Sequence, residues 1–180
     1  VTAMGVGQHA QSYVASLDAA ALRGARVGVL REPMGVVASI FPWNVPLLFV
    51  GSKLGPALAA GNAVIIKPAS YTPAISYELI KILSEIEGIP PGIVSLISGK
   101  GSVVGAELCT NPEVDMIALT GSSDTGKQVM KQAADTLKKV SLELGGKSPN
   151  LVLKDADLVK AAKQAIKGAW VSFGGQVCYA

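Results

Sequence analysis

Residues 35–67 read GVVASIFPWNVPLLFVGSKLGPALAAGNAVIIK. The runs at 35–40 and 63–67 are short and apolar and contain several β-branched residues, which is typical of strands buried on both faces. Between them, residues 46–60 have the length and composition of a helix, which ends near Gly61 and Asn62. The stretch therefore predicts a strand, a turn at 41–44, a helix and a second strand.

The same alternation extends along the chain. Helices are predicted over 8–22, 73–87, 102–109 and 124–136, and strands over 93–97, 115–120 and 139–144. Strands that alternate with helices and are apolar on both faces predict an α/β fold with an open parallel sheet covered by helices on both sides. Because such sheets bind ligands at the carboxyl ends of their strands, we expect four loops to meet along one edge. These loops are 41–44, 67–71, 99–102 and 121–126.

The composition changes after this alternation. Residues 145–149 resemble a hinge, residues 150–153 predict another strand, and residues 155–173 predict a helix with Asp155 or Asp157 as its N-cap. A domain boundary is therefore predicted near Glu143. It divides the chain into a first domain over 1–142 and the start of a second α/β domain over 143–180.

Composition excludes several classes of protein. The chain has 180 residues, of which 49% are hydrophobic, 16% charged and 5% aromatic, so it can form one good core or two small ones. A net charge of +3 with scattered lysines does not favour a nucleic-acid partner. No apolar run approaches the ~18 residues of a membrane helix. Two cysteines and no signal peptide favour a cytoplasmic location.

Two glycine loops are candidate phosphate sites. The loop at 99–105 follows a predicted strand, but its spacing is one residue too long for the dinucleotide fingerprint, and a plain turn explains it equally well. The loop at 121–126 places Ser122 and exposed N–H groups at a helix start. A capped helix start without a ligand explains it nearly as well.

Three side chains are candidates for chemistry, and each has a structural alternative. Cys178 follows two glycines and could be a nucleophile or a small buried apolar residue, which is the interpretation given to Cys109. Glu143 ends an apolar strand, where a partly desolvated carboxylate suits general-base work, or it could pair with a lysine. Asn44 could aim its amide at an oxyanion or cap the following helix.

Metal and histidine chemistry have no candidates in this sequence. The single histidine, His9, lies far along the chain from Cys178, so neither a Cys-His nor a Ser-His-Asp arrangement has a candidate base. One histidine and two separate cysteines provide no zinc cluster, and no metal site is predicted.

Taken together, six motifs resemble the aldehyde dehydrogenase superfamily in their order and spacing. They are FPWN at 41–44, KPAS at 67–70, PPG at 90–92, GSSDTG at 121–126, LELGGKSP at 142–149 and GQVC at 175–178. The resemblance extends from about Arg31 to the end of the chain. It implies a Rossmann-like NAD(P)-binding domain followed by the beginning of a catalytic domain.

The resemblance also implies catalytic roles for three residues. Cys178 is expected to be the nucleophile and Glu143 the general base. Asn44 is expected to stabilise the oxyanion together with the backbone N–H of Cys178. The implied reaction oxidises an aldehyde to a carboxylic acid through a thiohemiacetal and a thioester.

The cofactor implied by the resemblance is NAD or NADP. Lys67 would bind the adenosine ribose and Ser122 a phosphate. Ser70 stands where many NAD-preferring relatives carry a glutamate, whose charge would repel a 2′-phosphate. We therefore expect NADP to be tolerated or preferred. The remaining residues expected to form the cofactor site are Pro42, Trp43, Gly121, Gly126 and Gly145.

Two alternatives remain open at this level. The first is an acylating or reductive relative on the same scaffold, against which Glu143 argues because such an enzyme has no need of a water-activating base. The second is a non-catalytic dinucleotide-binding module. Because the chain stops two residues after Cys178, we expect it to be a fragment that is catalytically silent when isolated, and we expect the complete protein to be a homo-oligomer.

Overall fold

The computed structural model describes residues 34–171 and 173–178. The helix predicted over 8–22 lies outside this range. The five strands, numbered in chain order, are β1 Val36–Ile40, β2 Ala63–Lys67, β3 Val94–Leu96, β4 Met116–Thr120 and β5 Lys139–Glu143. The five α-helices are α1 Pro46–Ala59, α2 Ala74–Ser84, α3 Ala106–Thr110, α4 Ser123–Ala134 and α5 Leu158–Ile166.

The five strands form one parallel sheet in the order β3-β2-β1-β4-β5. Ile40 pairs with Lys67 and Thr120 pairs with Glu143, so the carboxyl ends of the strands meet along one edge. The chain moves outward from β1 in one direction and then crosses to β4 on the other side. Such a topological switch point opens a crevice at the carboxyl edge, and the predicted Rossmann-like α/β sheet is confirmed.

Apolar side chains form a core on each face of the sheet. On one face, Ile117 and Leu119 of β4 pack with Cys109 of α3 and Val129 of α4. On the other face, the core contains buried residues of β2 and α1, with residues of α2 packed against it. The helices therefore cover both faces, as the apolar strands predict.

The face that carries α1 is open over β5. Lys139, Ser141 and Glu143 are exposed on that face, whereas Val140 and Leu142 pack against the core on the opposite face. An edge strand with one solvated face is unusual in a parallel sheet. The open face forms one side of the cleft described below.

Two expectations for the region after β5 differ from the structure. The strand predicted over 150–153 is wrong, because the segment pairs with no strand among the described residues and its apolar side chains are exposed. The helix predicted over 155–173 is shorter. It begins at Leu158, where Asp157 accepts hydrogen bonds from the backbone N–H groups of Val159 and Lys160, both at 3.0 Å. A π-helical turn at Lys167–Val171 follows it. Residues Phe173–Gly175 form a separate short turn, in which Gly174 has a left-handed φ of 61°.

Candidate active site

The carboxyl edge of β1, β4 and β5 borders a cleft with a volume of about 1260 Å³. Helix α1 forms one wall, the open face of β4 and β5 forms the floor, and residues 175–178 close one end. Eight of the predicted site residues line it: Pro42, Trp43, Asn44, Gly121, Ser122, Glu143, Gly145 and Cys178. Lys67, Ser70 and Gly126 are not among the residues that line it.

Asn44 links the β1–α1 loop to the segment that carries Cys178. Its Nδ2 donates a hydrogen bond of 2.6 Å to the backbone oxygen of Gln176, which is 132 residues further along the chain. The N-cap of α1 is Val45, and no side chain caps that helix, so the alternative role of Asn44 as a cap is wrong. An amide nitrogen carries two hydrogens, and Asn44 therefore retains one donor for a ligand in the cleft.

The two cysteines have opposite environments. Cys178 is exposed, whereas Cys109 is 1% exposed within α3. Burial raises the pKa of the Cys109 thiol, and the charge of Lys138 opposes this only in part. Cys109 therefore fits the interpretation of a small buried apolar residue, and Cys178 is the thiol that a ligand in the cleft can reach.

Glu143 is the last residue of β5 and its side chain is exposed. Of the two alternatives, a partly desolvated carboxylate and a carboxylate paired with a lysine, the exposure of Glu143 argues against the first, because α1 does not extend over β5. Lys53 on α1 also lines the cleft, and its ammonium group interacts electrostatically with the Glu143 carboxylate. Burial lowers the pKa of Lys53, and the negative charge of Glu143 raises it again in part. Glu143 can therefore accept a proton from a group in the cleft, and it also attracts the ammonium group of Lys53.

Ser122 is the N-cap of α4. Its hydroxyl accepts a hydrogen bond of 3.2 Å from the Thr125 N–H and lies 2.9 Å from the Thr125 hydroxyl. The capped helix start that the sequence offered as an alternative is therefore present. The Gly121 N–H donates to the backbone oxygen of Glu143 at 3.0 Å, which fixes this loop against the end of β5.

Gly126 acts through packing beneath the loop. A Cβ at this position would lie 2.8 Å from the Cδ2 atom of Leu144. Helix α4 therefore approaches the end of β5 closely, and the contact of Gly126 with Leu144 fixes the 121–126 loop against the sheet.

Lys67 and Ser70 lie on the opposite side of β1 from β4 and β5. Lys67 is 4% exposed, its Nζ donates to the Pro68 oxygen at 3.1 Å, and burial lowers its pKa. Its side chain passes Gly105, where a Cβ would be 3.9 Å away. The Ser70 hydroxyl donates to the Gly99 oxygen at 3.0 Å. These residues form a second polar group at the same sheet edge as the cleft.

Sequence reasoning did not identify three residues of the site. Lys53 is a lone charge in the apolar helix α1, which was the available signal. Gly146 follows Gly145 and packs against Cys178, and Gln176 contributes its backbone oxygen. Both act through the backbone, so no side chain in the sequence indicates their roles. For Gly146, the tandem glycine was a hint, because glycine permits close approach of the backbone.

Two negative findings concern the parts of the chain that the structure covers. None of the helices there is both long enough and apolar enough to cross a membrane. In the same residues, no three side chains of His, Cys, Asp or Glu come together as a possible metal site.

The doubly wound parallel sheet, with polar loops at its carboxyl edge, places the molecule among the Rossmann-like α/β proteins. A thiol, a carboxylate and a side-chain amide line one cleft at that edge. The model of the aldehyde dehydrogenase family matches residues 2–180. The chain belongs to the aldehyde dehydrogenase family.

Several known proteins are similar to it. Betaine aldehyde dehydrogenase of Bacillus subtilis (strain 168) is 47% identical over 152 residues, which are 84% of this chain and 31% of the relative. Peroxisomal aminoaldehyde dehydrogenase 2 of Pisum sativum is 51% identical over 153 residues, 84% of this chain and 30% of the relative. The chain spans about a third of the length of these relatives.

Solved structures give the same result. The structure of betaine aldehyde dehydrogenase from Staphylococcus aureus in complex with NAD+ aligns with a TM-score of 0.78 and 44% identity, covering 83% of this chain and 29% of the other. An aldehyde dehydrogenase C mutant from Pseudomonas syringae, in complex with NAD+ and octanal, aligns with a TM-score of 0.78 and 41% identity, covering 82% and 30%.

Proposed function

We propose that this chain carries the nucleophile, the general base and the cofactor site of an NAD(P)-dependent enzyme that oxidises an aldehyde to a carboxylic acid. One observation supports this most strongly. The Asn44–Gln176 hydrogen bond joins two distant motifs beside the exposed thiol of Cys178, in the cleft that Glu143 also lines. A nucleophile, a donor and a carboxylate in one cleft suit acyl chemistry on a carbonyl carbon.

The residues act in sequence on the aldehyde. The Cys178 thiolate attacks the carbonyl carbon, and the oxygen that becomes negative accepts hydrogen bonds from the free Asn44 amide hydrogen and the Cys178 N–H. Each such donor stabilises the transition state by about 3 kcal/mol. Once the adduct has lost its hydride, a thioester of Cys178 remains. Glu143 then takes a proton from water, and the resulting hydroxide attacks the thioester carbon and releases the acid and the Cys178 thiolate.

The residues of the cleft fit a nicotinamide dinucleotide, which accepts the hydride when it is bound. Two buried polar atoms, Asn44 Oδ1 and Thr120 Oγ1, have no hydrogen-bond partner among the described residues, and both residues line the cleft. Buried polar atoms normally have a partner, so these two are available to a polar ligand. NAD+ is present in solved structures of similar proteins.

The cofactor would be held by groups along the sheet edge. Gly121 and Ser122 would approach its phosphates at the start of α4, and Lys67 would bind the adenosine ribose. Pro42, Trp43, Gly126 and Gly145 complete the proposed site.

Ser70 supports the proposal that NADP is tolerated or preferred. Its hydroxyl is neutral and donates to Gly99, so no carboxylate at this position repels a 2′-phosphate. We expect Ser70→Glu to weaken NADP binding more than NAD binding. Dissociation constants of both dinucleotides, measured by titration calorimetry on the parent and the variant, test this. Equal weakening would contradict it.

We also propose the domain boundaries, the substrate class, the cellular location and the oligomeric state. Residues 1–142 would form the NAD(P)-binding domain and residues 143–180 the start of the catalytic domain, which is supported by the end of the last sheet strand at Glu143. The substrate would be a small-molecule aldehyde. The complete protein would be a cytoplasmic homo-oligomer.

A chimera tests the activity. This chain replaces the matching segment of Bacillus subtilis betaine aldehyde dehydrogenase, and reduction of NAD or NADP is followed with several aldehydes. We expect turnover that Cys178→Ser abolishes, whereas Cys109→Ser, which alters the buried cysteine, retains it. Turnover that survives Cys178→Ser would refute the proposal. The same assay on the isolated 180 residues is expected to show no cofactor reduction.

A further inference from the structure

The backbone at Cys178 rests directly on Gly146. A Cβ added to Gly146 would lie 2.6 Å from the carbonyl oxygen of Cys178, 3.6 Å from its carbonyl carbon and 3.8 Å from its Cβ. The first distance is shorter than van der Waals contact permits, and the atom concerned is a backbone atom that cannot rotate away. Any side chain at position 146 must therefore displace Cys178.

This requirement does not apply to the neighbouring glycine. A Cβ at Gly145 would have no atom within 4 Å, and the same is true of Gly168 near the end of the chain. The contact is thus specific to Gly146. Gly175 is also crowded, but against the carbonyl oxygen of Ala169 and not against Cys178.

A second contact holds the same segment from another part of the fold. Asn44 donates to the Gln176 oxygen at 2.6 Å, two residues before Cys178. Between the π-helical turn at Lys167–Val171 and Cys178, Gly174 and Gly175 have φ of 61° and 74°, in the left-handed region. Glycine carries a large conformational entropy, so contacts with other parts of the chain must fix the segment. Gly175 packs against the carbonyl oxygen of Ala169, Asn44 holds Gln176, and Gly146 is the contact at Cys178 itself.

We propose that Gly146 and Asn44 form a seat for residues 174–178, and that Gly146 is a positioning residue for the Cys178 thiol. Gly146 sets how closely the Cys178 backbone approaches the end of β5, and Asn44 prevents the segment from moving away. The importance of the seat for turnover rests on the proposed function, because small displacements of a nucleophile reduce its rate strongly. Its existence does not depend on turnover.

A spin label on Cys178 tests the seat in the full 180-residue chain. Cys178 is exposed and Cys109 is buried, so a thiol-specific nitroxide reacts with Cys178 in the native protein. We expect a restricted electron paramagnetic resonance spectrum. Gly146→Ala should increase the mobile component roughly fivefold, because the added methyl group displaces the backbone that carries the label; an effect of this size equals that of losing one ordinary hydrogen bond.

Two variants complete the design. Asn44→Asp keeps the size of the side chain but removes the N–H donor, and it should mobilise the label to a similar extent. Gly168→Ala adds a methyl group where there is space and should leave the spectrum unchanged. Circular dichroism verifies that each variant is folded, and Asn44→Asp carries the test if Gly146→Ala does not fold.

The outcomes separate the seat from the proposed function. An unchanged spectrum in folded Gly146→Ala, or in Asn44→Asp, would overturn the seat, even if Cys178→Ser abolishes turnover of the chimera. Conversely, a mobilised label together with turnover that survives Cys178→Ser would support the seat and refute the catalytic role of the thiol.

Discussion

Lys138 connects the beginnings of the two strands whose far ends form the candidate site. It immediately precedes β5, and its ammonium group donates to the carbonyl oxygens of Asn111 and, at 2.7 Å, of Val114, which lie just before β4. A hydrogen bond from a charged donor contributes roughly 1.5–3 kcal/mol. Because Lys138 is half-buried, water can hydrogen-bond to the two carbonyl oxygens when the ammonium group is removed, which offsets part of the lost free energy. We expect Lys138→Met to lower the free energy of unfolding by about 2–3 kcal/mol.

Urea unfolding followed by circular dichroism measures this change. With a slope of about 2 kcal/mol per molar urea, the midpoint should fall by roughly 1–1.5 M. The matched control is Lys139→Met, which removes an exposed charge with no hydrogen bond to the described residues, and it should change stability by less than about 0.5 kcal/mol. A Lys138→Met midpoint equal to that of Lys139→Met would show that the two carbonyl contacts do not stabilise the fold.

Four further predictions concern the cleft and its surroundings. Burial lowers the pKa of Lys53 and Glu143 raises it, so Glu143→Gln should lower that pKa further in an NMR titration, and an unchanged value would contradict the attraction. Because burial lowers the pKa of Lys53 in the folded state, the unfolded chain keeps that proton to a higher pH. The free energy of unfolding of the parent, compared with that of Lys53→Met, should therefore rise with pH between the lowered pKa and 10.5. Ser122→Ala should destabilise the chain by about 1 kcal/mol in thermal unfolding through loss of the cap, and no loss would mean that the cap is dispensable. Iodoacetamide should modify Cys178 faster than Cys109, as peptide mass spectrometry can show, whereas equal rates would mean that Cys109 is not protected by its burial.

The sequence predicted the sheet well because buried parallel strands are continuous apolar runs. All five strands formed within the predicted ranges, and β1 and β2 match the runs at 35–40 and 63–67. The run at 150–153 has a similar composition but no partner strand in the described structure. A strand requires a neighbour as well as a suitable pattern, and the neighbour cannot be read from a local window.

The candidate site was predictable residue by residue but not as an arrangement. Asn44, Glu143 and Cys178 could be named from their motifs. The partner of Asn44 is a backbone oxygen 132 residues away, which leaves no mark on side-chain composition. The exposure of Glu143 depends on where α1 ends over the sheet. Lys53 faces Glu143 through tertiary packing alone.

The long interval between Asn44 and Gln176 also bears on how the molecule assembles. Contacts that close such an interval carry a large loop-closure cost and form after local structure is in place. Synthesis from the N-terminus delivers all five strands before residues 174–178 leave the ribosome. The Gln176 oxygen therefore meets the Asn44 amide late in folding, when the strands of the sheet already exist, and the Cys178 thiol takes its place only then.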